Sequence, residues 1–229
     1  MESLEAELER ARELDVGALA DAIETIGFEC TRCGACCKAG ETACGDDADE
    51  TDPEPHTATV FPDEIRRLQS AGDYDFRDVA RPMPYGVEAT PDGPQGETFE
   101  WALQTDHCGD CTFYAEDDDG VGACTVHDDR PLICRTYPFS VALGGTSQPM
   151  GEAVDAEGMV RAHECEGLGR DIARDEAEEL AAALKERAVR ELEEAVGVRE
   201  NYRPVDVSGV VVHDSEGQKR PDGTPLDET

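Results

Sequence analysis

Four cysteines fall within eight residues of this chain, Cys30, Cys33, Cys36 and Cys37 in the run C-T-R-C-G-A-C-C, and folding alone does not require thiols at that density. Gaps of two residues let successive thiolates turn toward one small ion or cluster, and Gly34 lets the backbone curl tightly around it. The chemistry this pattern points to is metal chelation. Cys108, Cys111, Cys124, Cys134 and Cys165 lie far along the chain, so a site drawing on both groups would tie distant segments together. The tenth cysteine, Cys44, sits in an acidic stretch and is equally readable as bystander or ligand.

Soft thiolates select zinc, iron-sulfur clusters or Cu(I) over the hard cations that carboxylates attract. Adjacent side chains point in different directions on helix or strand, so Cys36 and Cys37 cannot both reach one mononuclear ion without strain. Two centres, or one polynuclear cluster, fit better; one division gives Cys30, Cys33 and Cys36 to a first centre and Cys37 with downstream thiols to a second. A zinc ribbon could use the pairs Cys30/Cys33 and Cys108/Cys111, yet it leaves Cys36 and Cys37 unexplained. The C-x2-C-x2-C spacing agrees with bacterial ferredoxins, but the fourth cysteine three residues on, followed by proline, is missing. The spacing therefore argues for metal and leaves the metal's identity open.

A second block, C-T-V-H-D-D-R-P-L-I-C-R-T-Y-P-F from Cys124 to Phe139, surrounds a thiol with cations. Asp128 or Asp129 can cap a short helix, Pro131 suits its first turn, and Cys134 follows within about one turn of Arg130 and Arg135. A helix N-terminus and nearby guanidinium groups both favour thiolate, and arginine donors can bond cluster sulfurs, which makes Arg130 and Arg135 candidate cofactor-binding residues. The plainer alternative pairs these arginines with surface carboxylates. His107, His127 and His163 each stand near a cysteine, His163 being the best placed of the three, two residues before Cys165.

In combination these blocks resemble the CxxCxxCC cysteine-cluster family, also called YkgJ-like, whose members are described as zinc- or iron-chelating domains and sometimes labelled Fe-S oxidoreductases. The resemblance runs from Phe28 to Gly167 through F-E-C-T-R-C-G-A-C-C, the C-T-F-Y element at Cys111, the block from Cys124, and Cys165. Carried over position by position, it implies Cys30, Cys33, Cys36, Cys37, Cys111, Cys124, Cys134 and Cys165 as the chelating set. Cys44 and Cys108 fall outside the family pattern and inherit no role. A flagellin lysine N-methylase carries a similar cysteine domain, but this chain has no glycine-rich dinucleotide or S-adenosylmethionine fingerprint, so assistance to lysine methylation is a minor alternative.

Composition narrows the setting. The chain has 54 acidic and 20 basic residues, a net charge of -34, and only three lysines, Lys38, Lys185 and Lys219. That balance resembles a salt-in halophile, because at molar salt the Debye length shrinks to about 3 Å and self-repulsion is screened. A basic partner or cation buffering is the competing reading, weakened by the spread of the acids along the chain. No Lys/Arg stripe is present to neutralise phosphates, which argues against nucleic-acid binding. Met1 to Arg12 is charged throughout, with no apolar signal region and no run of eighteen apolar residues, so neither export nor membrane insertion is indicated and a cytoplasmic location is expected. In that compartment clustered cysteines are read as metal ligands in preference to a disulfide framework.

The elements that must hold these thiols follow from periodicity. Leu4, Leu8 and Ala11, then Leu19, Ile23 and Ile26 after Asp15 as cap, predict two short N-terminal helices closed by Gly27. A polar loop is expected from Ala39 to Thr57, and a helix from Pro62 to Gly72. Prolines and glycines break any helix between Pro82 and Gly96, and Phe99, Trp101 and Leu103 alternate as in a strand. Thr112 to Ala115 and Ala123 to His127 flank a turn at Gly120 and predict a hairpin carrying Cys111 and Cys124. Arg170 to Val196 predicts a long packing helix stopped by Gly197, then an edge strand over Val205 to Val212 and a disordered tail from Asp214. The expected fold is a small metal-organised α+β domain: residues 1–27 an N-terminal helical segment, 28–169 the cysteine-cluster domain, 170–198 the C-terminal helix, 199–229 edge strand and tail. The expected function is an iron-sulfur protein with a redox or electron-transfer role and a redox partner protein, or else a zinc-stabilised binding module.

Overall fold

The computed structural model describes residues 3–39, 55–143, 153–155 and 157–226; Cys44 and most of the expected acidic loop lie outside the described residues. The fold is mixed α+β, with two N-terminal helices, short antiparallel hairpins and one long C-terminal helix. By its contacts the chain divides into two compact units, one of residues 1–36 and 132–196, the other of 37–131 and 197–229.

In the first unit, helices Leu4–Glu13 and Val16–Ile26 start where short polar side chains satisfy orphan amides: Ser3 Oγ accepts from Ala6 N–H at 3.3 Å and Asp15 Oδ1 from Ala18 N–H at 2.7 Å. Their apolar faces bury Leu8, Ala11, Leu19, Ala20 and Ile23 in one core with Phe139, Val160, Ala162 and the stripe Ala177, Ala181, Leu184, Ala188, Leu192 of the long helix. Alanines at three of those five stripe positions let the helix approach its neighbours closely, while each fully buried leucine, isoleucine or phenylalanine contributes about 1.5–3 kcal/mol. Strand Val160–His163 is the centre of an antiparallel sheet, flanked by Phe139–Val141 and Ala153–Asp155.

The long helix runs Arg174–Asn201, later at both ends than its sequence pattern suggests. Gly197 does not stop it. A Cβ at Gly197 would stand 2.6 Å from Ser215 Cβ and 3.1 Å from Ser215 Cα, so the glycine is there for close packing and not as a cap. Gly197→Ala gains about 1 kcal/mol of helix propensity but meets backbone, and overpacking of that kind costs roughly 1–3 kcal/mol. The expected outcome is a lower melting temperature, read by differential scanning calorimetry; a raised one would show that the Ser215 segment yields freely.

The second unit holds helix Pro62–Ala71, with the expected proline start, and among its sheets two of three or more strands. Strand Trp101–Leu103 is central between Thr59–Val60 and Ala80–Pro82, so all three of its residues are buried instead of alternating. The other sheet has four strands in the order Gly217–Lys219, Val210–Asp214, Gly93–Thr98, Val87–Thr90. Two expectations are corrected here. Val210–Asp214 is an interior strand, paired on both sides, and the chain beyond it continues as a hairpin. The physical reason is a buried polar cluster: Asp214 accepts from Trp101 Nε1 at 2.8 Å and pairs with Lys219 Nζ at 2.7 Å, which orders a segment whose composition reads as tail.

His56 docks this unit's loops, donating its backbone N–H to Gly109 O at 2.8 Å while its carbonyl accepts from Arg81 Nη2 at 2.9 Å. Burial, then the nearby Arg81 charge, lowers its imidazole from an ordinary 6.5 to about 4. A depressed folded-state value means the unfolded chain takes up the proton first. Stability from this group is therefore complete above pH 6.5 and is lost as pH falls toward about 4, by as much as about 3 kcal/mol. Denaturant melts across that window should steepen in their pH dependence for the parent and flatten for His56→Gln; identical slopes would refute the assignment.

Candidate metal centre

In the first unit, three of the family cysteines sit on the loop that follows helix Val16–Ile26. Gly27 ends the helix in left-handed geometry at φ 76°, and its N–H caps Ile23 O at 2.7 Å. The chain then pairs with the segment after Cys165: Glu29 N–H donates to Gly167 O at 3.0 Å, Gly169 N–H to Gly27 O at 3.0 Å, and Phe28 bridges Leu168. Both glycines are needed for this approach. A Cβ on Gly27 would lie 2.4 Å from Arg170 O, and one on Gly167 2.3 Å from Glu29 O. Thr31 adds a hydrogen bond to Glu166. Between Cys30 and Cys33 the backbone curls through Arg32 at φ 60°, a costly left-handed conformation for a residue with a Cβ, and directly after Cys33 it does so again through Gly34 at φ 77°.

The result brings Cys30, Cys33, Cys36 and Cys165 within electrostatic reach of one another. Burial first, and then the negative charge of Cys33, Cys36 and Cys30, pushes the Cys165 thiol up, while the Gly167 N–H, 3.4 Å from its sulfur, opposes the shift. Four soft sulfur donors that repel one another as thiolates are of the type that a soft or borderline cation favours. Tyr137 lies beside them, and burial together with Cys165, Cys36 and Cys33 raises its phenol to about 12. It keeps its proton and donates it to Glu164 O. Cys134 belongs to the same unit, half-buried on helix Leu132–Thr136. That helix starts directly after Pro131, whereas Asp128 and Asp129 form a separate 3-10 turn. Buried Arg187 holds it by donating to Thr136 Oγ1 at 3.0 Å and to Phe139 O at 3.2 Å.

In the second unit Cys37 and Cys111 are backbone neighbours, Cys111 N–H donating to Cys37 O at 2.8 Å. The expected hairpin is present as Tyr114–Glu116 against Gly122–Cys124, with Cys124 opposite Tyr114. Cys111 precedes the strand, and its carbonyl accepts from Tyr114 N–H at 2.9 Å. Lys38 pairs with Glu116 and lies 5.1 Å from the Tyr114 ring centroid, pinning the residue after Cys37 to the same hairpin. The hydrogen bond to Glu116 raises Lys38 to about 12.

The remaining predicted residues are placed as follows. Arg130 Nε donates to His127 O at 3.1 Å, and Arg135 is exposed on its helix. His163 is buried with Nε2 2.9 Å from Ser140 Oγ, and His127 stands exposed beside Asp128. The eight cysteines expected to chelate are free thiols, while Cys108 is disulfide-bonded, so the expectation of reduced thiols does not extend to it. Tyr137, Arg187 and Gly167 escape sequence reasoning; the only sequence signal for them is proximity of Tyr137 and Gly167 to Cys134 and Cys165.

The family's sequence profile, "Putative zinc- or iron-chelating domain", matches residues 29–166. This chain belongs to the CxxCxxCC family. No curated protein and no solved structure matches it. Membership makes this a metal-binding cysteine-cluster domain. No described helix is long and apolar enough to cross a membrane.

Gly167→Ala tests how the CxxCxxCC loop is held. The added methyl meets a carbonyl oxygen, so the Cys165 turn must move away from the Cys30 segment. We expect a lower metal content per chain and a lower melting temperature together; full metal content with unchanged stability would show that this contact does not position the thiols.

Proposed function

We propose that this domain carries two thiolate-bound centres, an iron-sulfur cluster among them, and serves in electron transfer with a redox partner protein. Cys30, Cys33, Cys36 and Cys165 hold one centre, Cys37, Cys111 and Cys124 belong to the second, and Cys134 completes the chelating set. The observation that carries this reading is the distribution of reduced thiols: the boundary between the compact units falls at the Cys36–Cys37 bond, so each unit has its own group. Adjacent cysteines serving different centres also removes the strain that one shared ion would impose. Iron-sulfur clusters suit an all-thiolate set.

A zinc reading is favoured by one feature, the grouping of Cys30, Cys33, Cys36 and Cys165, whose number equals that of the all-thiolate shell of a structural zinc site. Zinc has no redox chemistry, so metal identity separates the two functions. Anaerobically purified protein is expected to be brown and to contain both iron and acid-labile sulfide; a colourless, zinc-only protein removes the electron-transfer role. Cys165→Ser should lose the metal of one centre and Cys111→Ser that of the other. Loss of all metal in both variants would replace two centres by one.

A further inference from the structure

A second kind of metal-ligating group lies outside the family's cysteine set. Asp106, His107 and Cys108 form a turn in which a carboxylate oxygen, an imidazole nitrogen and a sulfur all lie within 4.8 Å of one another. His107 Nε2 is 3.4 Å from Cys108 Sγ. The turn is held by its own backbone: Asp106 Oδ1 accepts from Cys108 N–H at 2.8 Å and Asp110 N–H at 3.0 Å, Asp106 N–H donates to Asp110 O at 2.8 Å, and Gly109 takes φ 83°. Three donors already converged on a braced turn bind an ion without the entropy cost of assembling them. One fact withholds the site. Cys108 is disulfide-bonded, and a disulfide sulfur is a far poorer ligand than a thiolate.

We propose that reduction of the Cys108 disulfide opens a further site, in which Asp106, His107 and Cys108 bind a borderline divalent cation of the zinc type. A dithiol reductant supplies two electrons and two protons: the sulfur–sulfur bond breaks, Cys108 and the cysteine it was bonded to each become a thiol, and the reductant closes its own disulfide. The incoming cation displaces the thiol proton to solvent and is held by sulfur, imidazole nitrogen and carboxylate oxygen, with water in the fourth position. Mixed sulfur, nitrogen and oxygen donors suit zinc better than copper(I) or calcium. The site goes beyond the chelating cysteines, because neither Cys108 nor its two neighbours belongs to that set.

Cobalt(II), which takes zinc's place and reports thiolate ligation by a charge-transfer band, is the probe. The whole protein with its resident metal is titrated in two states, as the intact disulfide and after reduction by a phosphine, which does not compete as a dithiol would. The reduced protein should take up one more equivalent than the oxidised protein, with a thiolate-to-cobalt band. In His107→Ala, an exposed position, that equivalent should weaken at least tenfold, and in Cys108→Ser it should vanish with its band. Equal uptake in both redox states overturns the proposal, and so does an additional equivalent that His107→Ala leaves unchanged. Failure of the two-centre reading would alter uptake common to both redox states and leave this difference legible.

Discussion

The contact on which the first cysteine group depends is a close approach of two backbones. Thiolates repel, so no side-chain attraction draws Cys30, Cys33 and Cys36 toward Cys165. The peptide groups do it instead. Two hydrogen bonds of 3.0 Å join residues 27–29 to 167–169, possible only because Gly27 and Gly167 present no Cβ where a carbonyl oxygen passes. Positioning by backbone means that part of the cost of ordering these cysteines is met by folding and not by any ligand the proposed centre would take.

Around that contact the unit commits its few buried polar groups to holding the second cysteine-bearing element. Arg187, buried in the long helix, donates to Thr136 and Phe139 on either side of Tyr137 and also pairs with Glu191 at 2.7 Å. A buried guanidinium is costly unless its donors are met, and here they are met by the very segment that carries Cys134. The second unit uses the same device with different residues. Asp214 lies between the Trp101 indole and Lys219, and this cluster turns a polar C-terminal stretch into two paired strands.

Local signals read well where local physics decides. Asp15 caps its helix, Pro62 begins another, and the Gly120 turn makes the hairpin, because capping, proline geometry and turn formation involve residues adjacent in sequence. They fail where a distant segment intervenes. Gly197 has the signature of a helix stop, yet Ser215 packs against it and the helix continues; Asp214 has the signature of a tail, yet Trp101 and Lys219 bury it.

The sequence by itself determined that this is a metal-binding cysteine-cluster chain, because thiol density and spacing are chemistry written in residue type. It also determined the α+β character, since helix and strand periodicities are local. Tertiary structure alone decided which thiols stand together and which supporting groups surround them. Cys165 comes to Cys30 through backbone pairing, Cys37 to Cys111 through a single amide, and Tyr137 to the first group through burial. None of these contacts has a period or a motif, because each depends on atoms far apart in the chain meeting at distances that only the folded backbone sets.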